Sequence, residues 1–269
     1  MIIYGKTASY SDAVNHYMKA YTLMKNGLKE STSIYYRIAF CYYELGKVSK
    51  SIMFLEKARE LYSENNMDSM AYSIYNFLAV SYIKMGCLQS AKVLLDKCFI
   101  KAESDKNSTD IGKVLNNYGY LYRKGDKKDV AISYLNRALE HHKIGSIMHL
   151  EMLYQKIWCL IELDCPLSCV DLLAEGKALS ENNERFAMCF RSLESLVFAD
   201  MDSYKNFIEG TALPYFIENK LNHVAIDFCE YLIERQRKKG VVFNKKTMQM
   251  IEVVYNMRKE MMEGGVFEC

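Results

Sequence analysis

An all-α solenoid of stacked helical hairpins, wound as a right-handed superhelix of about six to seven units, is the fold this chain predicts. Three observations predict it. One imprint recurs in register about forty residues apart. It reads Tyr35…Ile38, Ala39…Tyr42…Gly46…Ser51…Leu55…Ala58, then Tyr75…Leu78, Ala79…Tyr82…Gly86…Ala91…Leu95…Cys98, then Leu115…Tyr118, Gly119…Tyr122…Gly125…Ala131…Leu135…Ala138. Half of the residues are hydrophobic and only 2 are proline, which suits long helices with few breaks. Tyrosine is plentiful at 21 residues, and its ring fills a hairpin seam while its hydroxyl reaches the surface.

The imprint is the tetratricopeptide pattern: a large–small pair, an aromatic, a turn glycine, and a small–large–small triplet. In the first hairpin, Ala13, Tyr17 and Ala20 form the triplet on a helix begun by Ser11 and Asp12. Tyr4 then takes the aromatic position of the preceding helix, so Met1 falls inside a hairpin and a further segment is expected upstream. The second to fourth hairpins are the three quoted, separated by polar connectors at 63–69 and 103–110 that supply Ser, Thr or Asp as N-caps. The string Ser63, Glu64, Asn65, Asn66 returns as Ser180, Glu181, Asn182, Asn183, in keeping with the period. The fifth hairpin is expected as helices 147–163 and 167–179 around a Cys165, Pro166 break. The sixth is expected as helix 184–199, a turn at 200–203, and helix 204–220 enclosing Pro214. The seventh runs 222–239, turns at Gly240, and ends with a helix over 244–262.

These units divide into repeats 1–205, which would line a ligand groove with a truncated first repeat, and 206–269, which would cap and dimerise. The last helix carries two apolar stripes. Met248, Ile251 and Tyr255 form one; Met250, Val254, Met257 and Met261 form the other. One covers the preceding helix, and the other is left for a homodimer contact.

Much is excluded. Lys and Arg exceed Asp and Glu only by 35 to 33, too even for a nucleic-acid footprint, so any DNA contact would run through another domain. The basic run Arg235, Gln236, Arg237, Lys238, Lys239 reads as cations at a helix carboxyl end before Gly240. The 9 cysteines form no CxxC pair and read as reduced, small hydrophobes of a cytoplasmic protein. No stretch is long and apolar enough to span a membrane, and no signal peptide opens the sequence. His141 and His142 are adjacent, so they leave a helix on different faces and make no metal pair. No nucleotide, metalloprotease or hydrolase motif is present; neither a catalytic centre nor a cofactor is expected.

The string Phe207, Ile208, Glu209…Leu213, Pro214, Tyr215, Phe216…Ala225, Ile226, Asp227, Phe228, Cys229 resembles the closing repeats of the RRNPP family. These are cytoplasmic tetratricopeptide receptors for peptide pheromones of Gram-positive bacteria (Rap, Rgg, NprR, PlcR and PrgX types). Leu115, Asn116, Asn117, Tyr118, Gly119 is similar to the family's peptide-contacting helix. The resemblance implies a quorum-sensing receptor that binds a short linear peptide and controls an attached helix-turn-helix domain. That domain would regulate transcription, and would lie outside this chain. A Rap-like regulator that binds or dephosphorylates a response regulator is the alternative, and a non-signalling protein scaffold is a third reading.

The first helix of each hairpin lines the inner surface of such an array. Its inward positions are Tyr36, Arg37, Phe40 and Tyr43, then Asn76, Val80 and Lys84. Next come Lys113, Asn116, Asn117, Tyr120, Arg123 and Lys124, then Tyr154, Gln155, Trp158 and Glu162. Asparagine amides there can pair with the N–H and C=O of an extended peptide whatever its sequence, and Asn117 matches the family's contacting asparagine. The peptide-binding set expected is therefore Asn117, Asn76, Asn116, Gln155, the aromatics Tyr36, Phe40, Tyr120 and Trp158, and the cations Arg37, Lys84 and Arg123 for a carboxylate.

Overall fold

The computed structural model describes residues 7–23, 28–61, 69–240 and 245–263. The expectations for Met1, Tyr4, residues 63–68 of the connector at 63–69, Asn244 and Cys269 lie outside the described residues. The described chain is helical throughout and holds no strand. The first hairpins are α1 (Thr7–Leu23), α2 (Leu28–Glu44), α3 (Val48–Glu60), α4 (Ser69–Met85), α5 (Leu88–Ser104), α6 (Ser108–Lys124) and α7 (Lys128–Leu139). They are followed by α8 (Ile147–Glu162), α9 (Val170–Leu179), α10 (Glu184–Phe198), α11 (Met201–Phe207), α12 (Leu213–Glu218), α13 (Asn222–Lys238) and α14 (Lys245–Met262).

The small–large–small triplets are the seams of these hairpins. Ser51, Leu55 and Ala58 on α3, Ala91, Leu95 and Cys98 on α5, and Ala131, Leu135 and Ala138 on α7 are all fully buried. Close approach explains the small partners on the facing helices. A Cβ on Gly119 would stand 2.6 Å from Leu135, and one on Gly176 would stand 2.3 Å from a ring carbon of Phe190.

Helix starts follow the polar connectors. The Asn107 side chain accepts from the Asp110 amide at 3.2 Å, so the cap of α6 is the asparagine of that connector and not its Ser, Thr or Asp. Ser146, Asn183 and Asp200 cap α8, α10 and α11 in the same way. The hairpin turns hold one departure. Gly46 and Gly86 take left-handed backbone, at φ 76° and 84°, but in the fourth hairpin Gly125 sits at φ −85°. Asp126 takes the left-handed position there, at φ 61°. The register confirms the shift: Lys47 N donates to Tyr42 O, and Lys127 N donates to Tyr122 O.

The fifth hairpin matches expectation, with Pro166 opening a single 3₁₀ turn over Pro166–Cys169 ahead of α9. The sixth does not. Of the expected turn at 200–203 only Asp200 stays outside a helix; residues 201–203 are already α11, because Asp200 caps it by accepting from the amides of Asp202 and Ser203. The single helix expected over 204–220 is broken by a wider π-turn, Ile208–Ala212. Pro214 has no N–H for the carbonyl one turn back and its ring crowds that carbonyl; the widened turn absorbs the misfit.

The chain divides into two compact units, one holding α1–α4 with α12–α14, the other α5–α11. Within the first, α14 packs on both α13 and α3. Its stripe Met250, Val254, Met257 and Met261 is buried, while Met248 and Tyr255 of the other stripe stand 54% and 65% exposed. Two polar contacts join the same elements. Lys47 pairs with Glu263 at 3.3 Å, and buried Asn222 donates to Glu260 at 3.4 Å beside the Gly46 turn.

Seven described cysteines are free thiols, and all but Cys165 are buried. Burial holds Cys98, Cys159 and Cys189 as neutral thiols, with pKa values pushed up to about 12. Cys87 is disulfide-bonded, which corrects the expectation of reduced thiols throughout. Among the described residues no helix is long and apolar enough to cross a membrane. None of their His, Cys, Asp and Glu side chains group in threes to hold a metal ion.

Candidate ligand-binding walls

On α2 and α4 one stripe of each helix keeps side-chain surface open to solvent. It consists of Tyr36, Arg37, Phe40 and Tyr43 on α2, and Asn76, Phe77, Val80 and Lys84 on α4. These are the inward positions expected, with Phe77 added. Phe77 is the hub of the wall: the rings of Tyr36, Phe40 and Tyr43 meet it edge-on at centroid distances of 5.7, 6.4 and 5.0 Å. Tyr10 of α1 meets Phe40 edge-on at 6.2 Å. Lys84 Nζ stands 4.0 Å from the Tyr43 ring centroid, a cation–π contact that holds the ammonium against the wall. Burial raises the Tyr36 hydroxyl above its ordinary pKa, so it stays a neutral donor. The sequence signal for Phe77 was present, since it stands three residues before Val80 and seven before Lys84.

The second wall belongs to α6 and α8. On α6 the half-exposed or exposed positions Lys113, Tyr120 and Lys124 recur at helical spacing, and Asn117 lies in that stripe, 8% exposed. Lys113 is tied to Asp110 at 2.8 Å, and Lys124 Nζ lies 5.9 Å from the Tyr120 ring centroid. Asn116 is buried at 5% exposure, and its Oδ1 has no hydrogen-bond partner among the described residues.

Arg123 joins the two helices. Its guanidinium donates through Nη1 to Gln155 Oε1 at 3.1 Å and through Nη2 to Glu162 Oε1 at 3.0 Å. Gln155 Nε2 donates onward to Glu151 Oε1 at 3.1 Å. The guanidinium carbon lies 4.8 Å from the centroid of the Trp158 ring, and Tyr154 meets that ring edge-on. Trp158 is wholly buried, so its ring backs the wall where the sequence suggested an open face. Arg123 is likewise an internally paired cation, where the sequence suggested a receptor for a guest's carboxylate. The network ties α6 to α8 through side chains.

Comparison with known proteins agrees with the repeat fold. Tetratricopeptide-repeat family profiles match residues 34–65 and 112–140. No curated protein sequence matches the chain. Solved structures do. The Rap conjugation gene regulator of plasmid pLS20, in complex with the Phr* peptide, superposes with a TM-score of 0.79 at 16% identity, over 97% of this chain and 73% of its own. A Rap protein complexed with Competence and Sporulation Factor gives 0.79 at 13%, over 96% and 72%. NprR in complex with its cognate peptide NprX gives 0.70 at 20%, over 94% and 72%. The fold of these tetratricopeptide proteins is the fold of this chain.

Proposed function

We propose that this chain is a peptide sensor, binding a short linear peptide of roughly five to ten residues on the inner stripes of its first hairpin helices. The observation that carries the reading is the α6–α8 wall. Asn117 sits in the stripe with Lys113, Tyr120 and Lys124, beside the network of Arg123, Gln155 and Glu162. An amide there can take one N–H and one C=O of an extended main chain. Asn116 would add to that grip; on α2 and α4, taken by themselves, Asn76 offers the same amide and the aromatic stripe offers surface for side chains. Relatives of the same fold were solved with peptides, which supports the same use here.

A sensor of this kind works by differential affinity: the peptide favours one arrangement of the repeats over another. The arrangement would bias an attached helix-turn-helix domain on DNA, in the cytoplasm, as a quorum-sensing transcription regulator. The exposed Met248 and Tyr255 stripe of α14 would carry a homodimer contact. On this reading the chain binds and does not catalyse.

The test is calorimetry with synthetic peptides encoded beside the gene. One should bind, and Asn117→Ala should weaken it by about 1–3 kcal/mol, the cost of leaving a main-chain group unpaired. Unchanged affinity removes Asn117 from the site. Two other readings give different results: a Rap-like regulator would bind or dephosphorylate a response regulator, and a scaffold would bind a protein tail but none of these peptides.

A further inference from the structure

The stripe on α2 and α4 differs in chemistry from that on α6 and α8, and the difference names a ligand class. Four of its side chains are aromatic and meet at Phe77, each half-exposed, so the cluster keeps apolar ring surface in contact with water. Such surface is what a guest side chain covers. The cluster is flanked by cations. Arg37 is exposed and makes no ion pair among the described residues, and Lys84 is held over the Tyr43 ring. Helix α4 contains no carboxylate, and α2 has two, Glu30 and Glu44, each seven residues, or two turns, from Arg37. The wall is therefore aromatic at its centre and positive at its edge.

We propose that the α2–α4 wall selects, within a linear peptide, a large apolar side chain directly flanked by a carboxylate. The apolar group packs on Phe77 between the three surrounding rings, and the carboxylate accepts from the Arg37 fork. This rests on the peptide reading above and adds to it which peptides the wall admits: acidic-apolar pairs are taken, and a lysine or arginine beside the apolar group is turned away.

The experiment pans a displayed library of random linear peptides, about seven residues long, against the full chain. Enriched sequences should pair Phe, Leu or Trp with a neighbouring Asp or Glu. A synthetic winner should lose about tenfold in affinity when its Asp is changed to Asn, as befits one charge-assisted contact. Arg37→Gln, a surface change that keeps the helical circular dichroism, should lose the same factor toward the Asp peptide and nothing toward the Asn peptide. Phe77→Ala should weaken both peptides alike. Equal binding of the Asp and Asn forms, or winners rich in Lys and Arg, would overturn the proposal. Winners weakened by Asn117→Ala but indifferent to Arg37→Gln and Phe77→Ala would overturn it while leaving the peptide reading intact. A library that yields no winner at all overturns both.

Discussion

Arg123 donates to Gln155 and Glu162 from a position 5% exposed, so each partner matters more than it would on the surface. Glu162→Gln keeps an acceptor but removes the countercharge. It should lower unfolding free energy by about 1–2 kcal/mol, read from urea denaturation, because Glu162 itself is partly solvated. His142 gives the wall's supporting turn a pH dependence. Burial, then the charges of Lys113, His141 and His149, hold its pKa below the ordinary 6.5, so the folded chain keeps the imidazole neutral. As pH falls the unfolded chain takes up this proton first. Stability therefore declines below about pH 6.5 and levels off once folded His142 is protonated as well. The drop in urea midpoint between about pH 8 and about pH 5 should shrink in His142→Gln.

At the level of elements, backbone conformation makes the sharper predictions. Lys106 ends α5 in left-handed backbone, at φ 52°, where its Cβ is crowded. Lys106→Gly should raise stability by about 1 kcal/mol, measured by thermal or urea unfolding. Gly176→Ala should do the reverse, losing about 1–3 kcal/mol, because the new methyl would overlap the Phe190 ring. The same elements show what the sequence could and could not carry. Helix identity was legible from the recurring triplets, since Leu55, Leu95 and Leu135 must be buried wherever the hairpins close. The turn of the fourth hairpin was not, because the glycine signal at Gly125 masked an aspartate able to take the same backbone one residue later. The π-turn before Pro214 was not, since proline announces a disruption without saying how the chain accommodates it. Of the site, the stripes were legible from spacing. The state of Arg123 and Trp158 was not: whether a side chain faces a guest or its own neighbours depends on contacts between helices, which spacing does not encode.

The first unit departs from the behaviour of a simple repeat array, in which each hairpin rests only on those adjacent in sequence. Here α14 covers α3, and Asn222 reaches the Gly46 turn. Deleting the chain from Lys245 onward should therefore speed hydrogen exchange in α2 and α3 while leaving α6 and α7 as they were. Unfolding that begins at the tail skips the middle of the polypeptide and reaches its front hairpin next, so position along the chain is a poor guide to which segments loosen together.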